Sequence, residues 1–352
     1  MTDNKQILIS VVLPTCNVES FIGECIDSIL CQTVQADEIL VIDDCSTDKT
    51  VSIVESFQNE KIILVKNDEK RGLIHNLNLG FSMAKGKYIA RVDGDDINHK
   101  SRFEKQLKVL LDNNEIKACG SWLACFGASE KVIKHLEYHD DIKSQLLLNC
   151  SMSLGCVMLE KEAYSDFKFN DLMLHVEDYD FWAQSIFRNK VYNIQEVLYY
   201  YRIHEKQVST KFKRTQLKND FSIRLILFKK LKYCSTTYSD EFIDKMLNSK
   251  KEITKIEVQK YFEWLRELLH LNDSIKCFEV NSFRKVIHAL RNNLIYSIFF
   301  QGDRGENSRL FRFRIFLLLQ ASEQFNLVLK KTSKFVMIFF KSSKYKSRNF
   351  EL

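Results

Sequence analysis

The sequence predicts an α/β protein: a doubly wound sheet over residues 1–210, then a mostly α-helical region over 211–303 and a basic amphipathic tail over 304–352. Three observations carry that expectation. Short apolar runs alternate with amphipathic stretches four times before residue 100, the pattern of strand–helix units around a parallel sheet. Three of the runs end directly in polar groups, at Thr15/Asn17, Asp43/Asp44 and Asp93/Asp95/Asp96, and open α/β sheets bind ligands beyond the carboxyl ends of their strands. Beyond residue 210 the apolar residues recur at helical spacing, with no Gly-, Ser- or Pro-rich linker.

Each element follows from its local pattern. ILISVVLPT (7–15) is a continuous apolar run to Pro14, a strand buried on both faces. ESFIGECIDSILCQT (19–33) sets Phe21, Ile22, Cys25, Ile26, Ile29 and Leu30 on one helical face. DEILVIDD (37–44) is a second buried strand. The turn CSTDKT after it offers a Ser/Thr/Asp start for the helix TVSIVESF. KIILVKN (61–67) is a third strand, and LIHNLNLGFSMAKG (73–86) a helix that stops at Gly86. KYIARVD (87–93) is the fourth strand, and SRFEKQLKVLL after the aspartates is a helix. An aromatic strand precedes Arg202. QLKNDFSIRLILFKKLKYC, DEFIDKMLNSKKEITKIEVQKYFEWLRELLHL and NSFRKVIHALRNNLIYSIFF then read as amphipathic helices.

Composition narrows the class. A hydrophobic fraction of 45% and a charged fraction of 28% are those of a globular chain, which excludes long disorder. The ten cysteines form no CxxC, and MTDNKQILISVVLPT has no basic leader region, so they are expected reduced, as small buried hydrophobes in a cytosol. The only proline, Pro14, fits either a helix-rich second half or a biased source genome. Of the net charge of +6, residues 304–352 hold +8, with eleven Lys/Arg against three Asp/Glu, so the rest of the chain is slightly acidic. The apolar runs of that tail are shorter than the roughly 18 residues that span a bilayer. It reads as an amphipathic segment on an anionic membrane surface, or as a basic helix packed on the second domain. A basic tail alone gives no support for nucleic-acid binding.

Four constellations carry chemistry. Asp93-Gly94-Asp95-Asp96 offers hard oxygens suited to Mg²⁺ or Mn²⁺ beside a substrate phosphate, with Gly94 allowing close approach; a solvated acidic turn capping the next helix has the same pattern. In Asp43-Asp44-Cys45-Ser46-Thr47-Asp48, Asp44 can accept from a nucleobase N–H, while Ser46 and Asp48 can cap a helix. In HVEDYDFW, Glu177, Asp178 and Asp180 stand beside aromatic walls that raise a carboxylate's pKa and suit it to base catalysis. The same acidic run also complements a helix N-terminus. Arg202 and His204, two residues apart on a strand, share a face and suit phosphate or metal.

In this order, VVLPTCN, ILVIDDCSTDKT, GLIHNLNLGFSMAKGKYIARVDGDDI, HVEDYDFW and YYYRIHEKQVS resemble the inverting family 2 glycosyltransferases of the GT-A fold, bacterial enzymes that build surface polysaccharide and lipooligosaccharide. The resemblance covers residues 6–210, and the AR-x-D-x-D-D-I pattern is similar to a branch that often uses UDP-hexoses or UDP-N-acetylhexosamines. It implies a UDP-sugar donor, a Mn²⁺ or Mg²⁺ cofactor, a glycan or lipid-linked acceptor and no nucleic-acid partner. Pro14, Thr15 and Asn17 would line the nucleotide pocket, Asp44 would bond the uracil with Asp43 beside it, and Arg71 would lie near the nucleotide. Asp93, Gly94 and Asp95 would form the D-x-D element, with Asp95, Asp93 and His204 as metal ligands. Arg202 would hold the diphosphate, and Asp178 would be the general base. The chain departs from the family at Cys16, in place of Tyr or Phe, at Lys100, in place of proline, and at Leu154-Gly155-Cys156, in place of His-Pro-Ser/Thr. It lacks the Gln-x-x-Arg-Trp element and the membrane helices of processive synthases, so one sugar is expected per acceptor encounter, at the inner face of the cytoplasmic membrane. Two other classes compete. An inactive sugar-nucleotide-binding scaffold would not need both Asp95 and Asp178. A nucleotidyltransferase would want a glycine-rich basic loop after the first strand, and PTCNVESF has neither glycine nor Lys/Arg.

Overall fold

The computed structural model describes residues 8–204, 213–248, 252–301 and 309–329. The chain forms two compact units, Met1–Lys232 with Leu271–Val286, and Tyr233–His270 with Ile287–Leu352. The segment 211–303 is therefore divided between them. Of the basic tail, 304–308 and 330–352 lie outside the described residues.

The first unit is built on one nine-stranded sheet. Its first half alternates as the sequence predicts: β1 (Ile9–Thr15), α1 (Ile22–Leu30), β2 (Glu38–Asp43), α2 (Thr50–Ser56), β3 (Ile62–Lys66), α3 (Leu73–Met83) and β4 (Tyr88–Arg91). Its second half adds β5 (Ile97–Asn98), α4 (Arg102–Asp112), β6 (Ile116–Gly127), β7 (Lys131–Ile133), α5 (His139–Gln145), β8 (Met158–Glu160), α6 (Glu177–Ser185) and β9 (Lys190–Ile203). The strand order is β3-β2-β1-β4-β8-β6-β9-β5, with β7 on β6. The four early strands are parallel. β8 then runs antiparallel to both β4 and β6, β9 parallel to β6, and β5 antiparallel to β9.

Burial explains the order. Every residue of β1, β2 and β4 is buried, as the continuous apolar runs require of strands covered on both faces, whereas the edge strand β3 is half-exposed. Helix α1 buries Ile22, Cys25, Ile26 and Ile29 against Ile9, Val11 and Leu13. Helix α3 lies close on the sheet because Gly80 has no side chain; a Cβ there would sit 2.5 Å from Val12 Cγ1. The helix ends at Met83, before Gly86. Gly86 serves a close approach instead of a helix end, since a Cβ would meet Ser10 N at 2.6 Å. Its N–H donates to Ser10 Oγ (2.7 Å), Ser10 Oγ–H donates to Glu38 Oε1, and Lys85 N–H donates to the same Glu38 oxygen (2.6 Å), a buried knot across the strand starts.

All ten cysteines are free, but only Cys25, Cys119, Cys125 and Cys156 are buried. Cys16, Cys31 and Cys234 are exposed, which corrects the expectation that they are core residues throughout.

Helix α7 (Lys213–Lys229) also belongs to the first unit. Further helices among the described residues include α8 (Asp240–Leu247), α9 (Lys255–Ile275), α10 (Val280–Tyr296) and α11 (Arg309–Phe316). The middle amphipathic stretch of the sequence is two helices, α8 and α9, and Ser239 caps the first by accepting from Phe242 N (3.3 Å). In the second unit Tyr261 and Trp264 of α9 are fully buried, and Tyr233 meets Trp264 edge-on at 5.8 Å. Among the described residues no helix is long and apolar enough to cross a membrane.

Gly86→Ala is expected to destabilise the first unit by about 1–3 kcal/mol, the usual range for forcing a methyl into a packed site. Urea unfolding checks it: the midpoint drops while the slope stays constant.

Candidate functional site

The register of the parallel strands brings the predicted residues to one edge. Thr15 pairs with Asp43 across β1 and β2, and Val12 with Arg91 across β1 and β4. Asp44 N then donates to Thr15 O (2.8 Å) and Val92 N to Val12 O (3.1 Å), so the segments bearing Asp44 and Asp93 leave the sheet side by side.

Pro14 and Thr15 are buried in β1, and Thr15 Oγ1 points back at Asp43 Oδ1 (3.4 Å). Asp43 accepts from Ser46 N (2.9 Å) and Ser46 Oγ, so Ser46 braces the turn rather than capping α2. Asn17, exposed and at φ +54°, ties that turn to β1: its Oδ1 accepts from Thr47 N (2.8 Å) and its N–H donates to Ser46 Oγ (2.9 Å). Asp44 is wrapped by the next loop. It accepts from Arg71 N (2.7 Å), Gly72 N (3.0 Å) and Asn67 Nδ2 (3.1 Å). Burial raises its pKa, but these donors and Asn76 outweigh burial and hold it below the usual carboxylate range. Gly72 is at φ +85°, a conformation that suits glycine. The Arg71 side chain faces outward to Glu69 (3.0 Å).

The aspartate cluster divides into two poles. At the first, the Asp93 carboxylate pairs with the buried Arg91 guanidinium. Gly155 makes room for this pair, since a Cβ there would lie 2.5 Å from Asp93 Oδ2 and 3.1 Å from Arg91 Nη1. At the second, Asp95 Oδ2 meets His204 Nε2 at 3.0 Å. Arg202 Nε donates to Asp95 O (2.8 Å) and its Nη2 to Glu24 Oε2 (2.6 Å), with its guanidinium over Phe21 and Phe126. The His204 ring lies against Phe21 at 4.9 Å. Gly94 lies between the poles, and a Cβ there would press on Thr15 Cγ2 at 3.1 Å. Asp96 is structural. It is 1% exposed, takes Arg202 N at 2.7 Å, and leaves Oδ2 without a partner among the described residues. Burial, then Asp93 and Asp95, push its pKa up to about 9, and burial and Asp93 raise that of Asp95.

Asp178 and Glu177 open helix α6 beside the first pole. Asp178 is half-buried and accepts from Tyr179 N (2.7 Å). Burial, then Glu177, then Asp93 push its pKa up to about 7, against the pull of Tyr179 N–H and Arg91. Burial also raises Glu177. Phe181 of this helix stacks between Tyr164 and Phe169, with Phe181 and Phe169 4.6 Å apart.

The sequence reading missed one anchor. Arg102 is fully buried on α4. It donates to Arg91 O (2.8 Å), Val157 O (3.1 Å) and Gln106 Oε1 (3.1 Å), and also bonds Asn98. Arg91 was legible in principle, because an arginine inside the apolar run KYIARVD demands a buried partner.

Among the described residues no three His, Cys, Asp or Glu side chains converge as a ready metal cage. Asp95 and His204 form a carboxylate–imidazole pair, and Asp93 is turned to Arg91. Two protein ligands with phosphate oxygens and water in the other positions suit Mg²⁺ or Mn²⁺, so the residues present fit such an ion.

Comparison with known proteins settles the family. The sequence profile of glycosyl transferase family 2 matches residues 10–192. An uncharacterized glycosyltransferase of Haemophilus influenzae is 31% identical over 75% of this chain and 84% of its own length. The chain belongs to glycosyl transferase family 2. An Escherichia coli relative of this glycosyltransferase, named UDP-Glc:alpha-D-GlcNAc-diphosphoundecaprenol beta-1,3-glucosyltransferase, is 30% identical over 61% of this chain and 85% of that enzyme. Among solved structures, Staphylococcus aureus TarS 1–349 in complex with UDP-GlcNAc superposes with a TM-score of 0.52 at 15% identity, over 81% of this chain and 92% of that one. Glucosyl-3-phosphoglycerate synthase from Mycobacterium tuberculosis, in complex with Mn²⁺, UDP-Glc and phosphoglyceric acid, gives 0.50 at 18% identity, over 62% and 79%. These likenesses show the fold, which is GT-A.

Arg102→Met is expected to cost about 3 kcal/mol or more, because buried oxygens lose their donors. Thermal unfolding gives the loss directly, and a normal melting temperature would show the guanidinium to be dispensable.

Proposed function

We propose that this enzyme is an inverting, metal-dependent transferase. It moves one hexose or N-acetylhexosamine from a UDP-sugar to a hydroxyl of a glycan or lipid-linked acceptor in surface polysaccharide or lipooligosaccharide synthesis. The observation that carries it is Asp178, a carboxyl with a pKa of about 7 beside the Asp93–Arg91 pair. A base poised near the working pH is what proton removal from an acceptor hydroxyl needs. The E. coli relative's name, a UDP-glucose donor and a β-1,3 product, supports the donor class and the inverting outcome.

In this reading Asp178 takes the acceptor hydroxyl's proton as that oxygen attacks the anomeric carbon. The bond from the anomeric carbon to the diphosphate breaks, and its electron pair leaves with UDP. One displacement converts an α-linked donor to a β-linked product. Arg202 holds the diphosphate, with its guanidinium fixed by Phe21, Phe126 and Glu24. Pro14, Thr15, Asn17, Asp43, Asp44, Arg71 and Gly94 shape the nucleotide side. Asp95 and His204 would hold a Mn²⁺ or Mg²⁺ ion, which when bound neutralises charge on the departing diphosphate. Residues 1–210 carry the chemistry, the helices of 211–303 are shared between the two units, and 304–352 place the enzyme on the cytoplasmic face of the membrane. Exposed Leu310, Phe313 and Leu317 beside Arg309 and Arg314 support that last assignment.

The test is UDP release from a panel of UDP-sugars, with Mn²⁺ and with EDTA, by wild type and Asp95→Ala. Slow transfer to water reports the donor without knowledge of the acceptor. The expected outcome is metal-dependent release from one donor, reduced at least about 100-fold in the variant, the scale of a lost electrostatic contact at a leaving group. No release from any donor, with no UDP binding, would contradict the proposal.

A further inference from the structure

The second unit contains a cavity of about 320 Å³, none of whose lining residues belongs to the site above. That volume lies at the lower end of small-ligand sites, roughly 300–1,000 Å³. Its floor is a fixed plate. The Arg291 guanidinium lies over the Phe262 ring, 3.6 Å from its centroid, and binds both carboxylate oxygens of Glu323, with Nη2 3.0 Å from Oε2. Gln320 N donates to Glu323 Oε2 as well (2.8 Å). Both ionic side chains are mostly buried, 16% and 15% exposed, so the pair is pre-formed. The rim carries Glu263, Arg266 and His288, all exposed, and their side chains make no hydrogen bond to another described residue.

Charge balance decides what fits. The two arginines, Arg266 and Arg291, balance the two glutamates, Glu263 and Glu323. A phosphate or carboxylate entering the floor would have to displace Glu323 from Arg291, and a cation would have to break the same pair. An uncharged ligand meets neither obstacle. The rim offers a pure donor in Arg266, a pure acceptor in Glu263 and a group that does both in His288, a set suited to neighbouring hydroxyls. Leu265 and Leu318 add apolar wall for C–H faces. We infer that this cavity binds a short stretch of a neutral glycan, held by the helical unit through residues separate from the transfer chemistry. It rests on no step of the transfer reaction, so binding tests it.

The experiment is a calorimetric titration of the full chain with lactose and with maltotriose, and with inorganic phosphate as the charged probe, at low and high salt. Wild type is compared with the double variant Glu263→Ala/Arg266→Ala and with Asp95→Ala. Both rim side chains are exposed, so their truncation leaves the fold intact, and circular dichroism verifies this. The expected result is a saccharide Kd of about 1 mM, unchanged between about 0.05 and 0.5 M salt, at least tenfold weaker in the double variant and retained in Asp95→Ala. Saccharide binding that survives the double variant, or is lost in Asp95→Ala, would put the sugar elsewhere and overturn the inference. Phosphate binding that salt and the double variant both abolish would make the cavity an anion site, and failure of both saccharides to bind would equally overturn it.

Discussion

One buried guanidinium holds the working edge of the sheet together. Arg102 lies wholly inside the first unit, with Tyr199 and Phe103 as its flanking rings. Burial presses its pKa down, yet its hydrogen-bond partners are neutral oxygens, from β4, from the residue before β8, from β5 and from its own helix. One turn later, Gln106 donates to Cys119 O and Cys156 O, both at 2.7 Å. The two side chains thereby join the parallel half of the sheet to the mixed half directly behind Asp93–Asp96. A buried charge tolerates little displacement of its partners, so the loop that bears the aspartates inherits a fixed frame.

That frame allows the charge density of the site. Asp93, Asp95 and Asp96 crowd within four positions, and burial with mutual repulsion raises the last two. A carboxylate whose folded pKa is raised makes the fold less stable as pH rises past its unfolded value, so the ligand-free site is under electrostatic load at neutral pH. Arg91 relieves it at one pole, and His204 with Arg202 at the other. Asp178 shares the first pole's field without sharing its partner, which leaves it protonatable in the range where a base is useful.

The sequence showed the first half of the sheet well, because β1, β2 and β4 are buried on both faces and read as unbroken apolar runs. It did not show β6 and β8. The run IKACGSWLACFG of β6 mixes small and polar residues, since its neighbours approach closely: a Cβ on Gly120 would fall 2.1 Å from Asn193 Oδ1. The charged residues of the site were visible as motifs, but their pairing was not. Nothing local says that Asp93 turns to Arg91 while Asp95 turns to His204, because that choice depends on β5 pairing with β9, a hundred residues downstream. Gly155 appeared only as a departure from the family pattern. Its reason, room for the Asp93 carboxylate, is purely three-dimensional.

The central claim is that Asp178 removes the acceptor proton with a pKa near 7. The most direct test is the pH dependence of kcat/KM between about pH 5 and 9, with a saturating donor and a competent acceptor. A carboxylate must be ionised to accept a proton, so the account predicts a rate that is level above pH 7 and falls about tenfold per unit below it. A rate that stays level down to about pH 5 would mean that an ordinary carboxylate, or no carboxylate, serves as the base, and would contradict the claim.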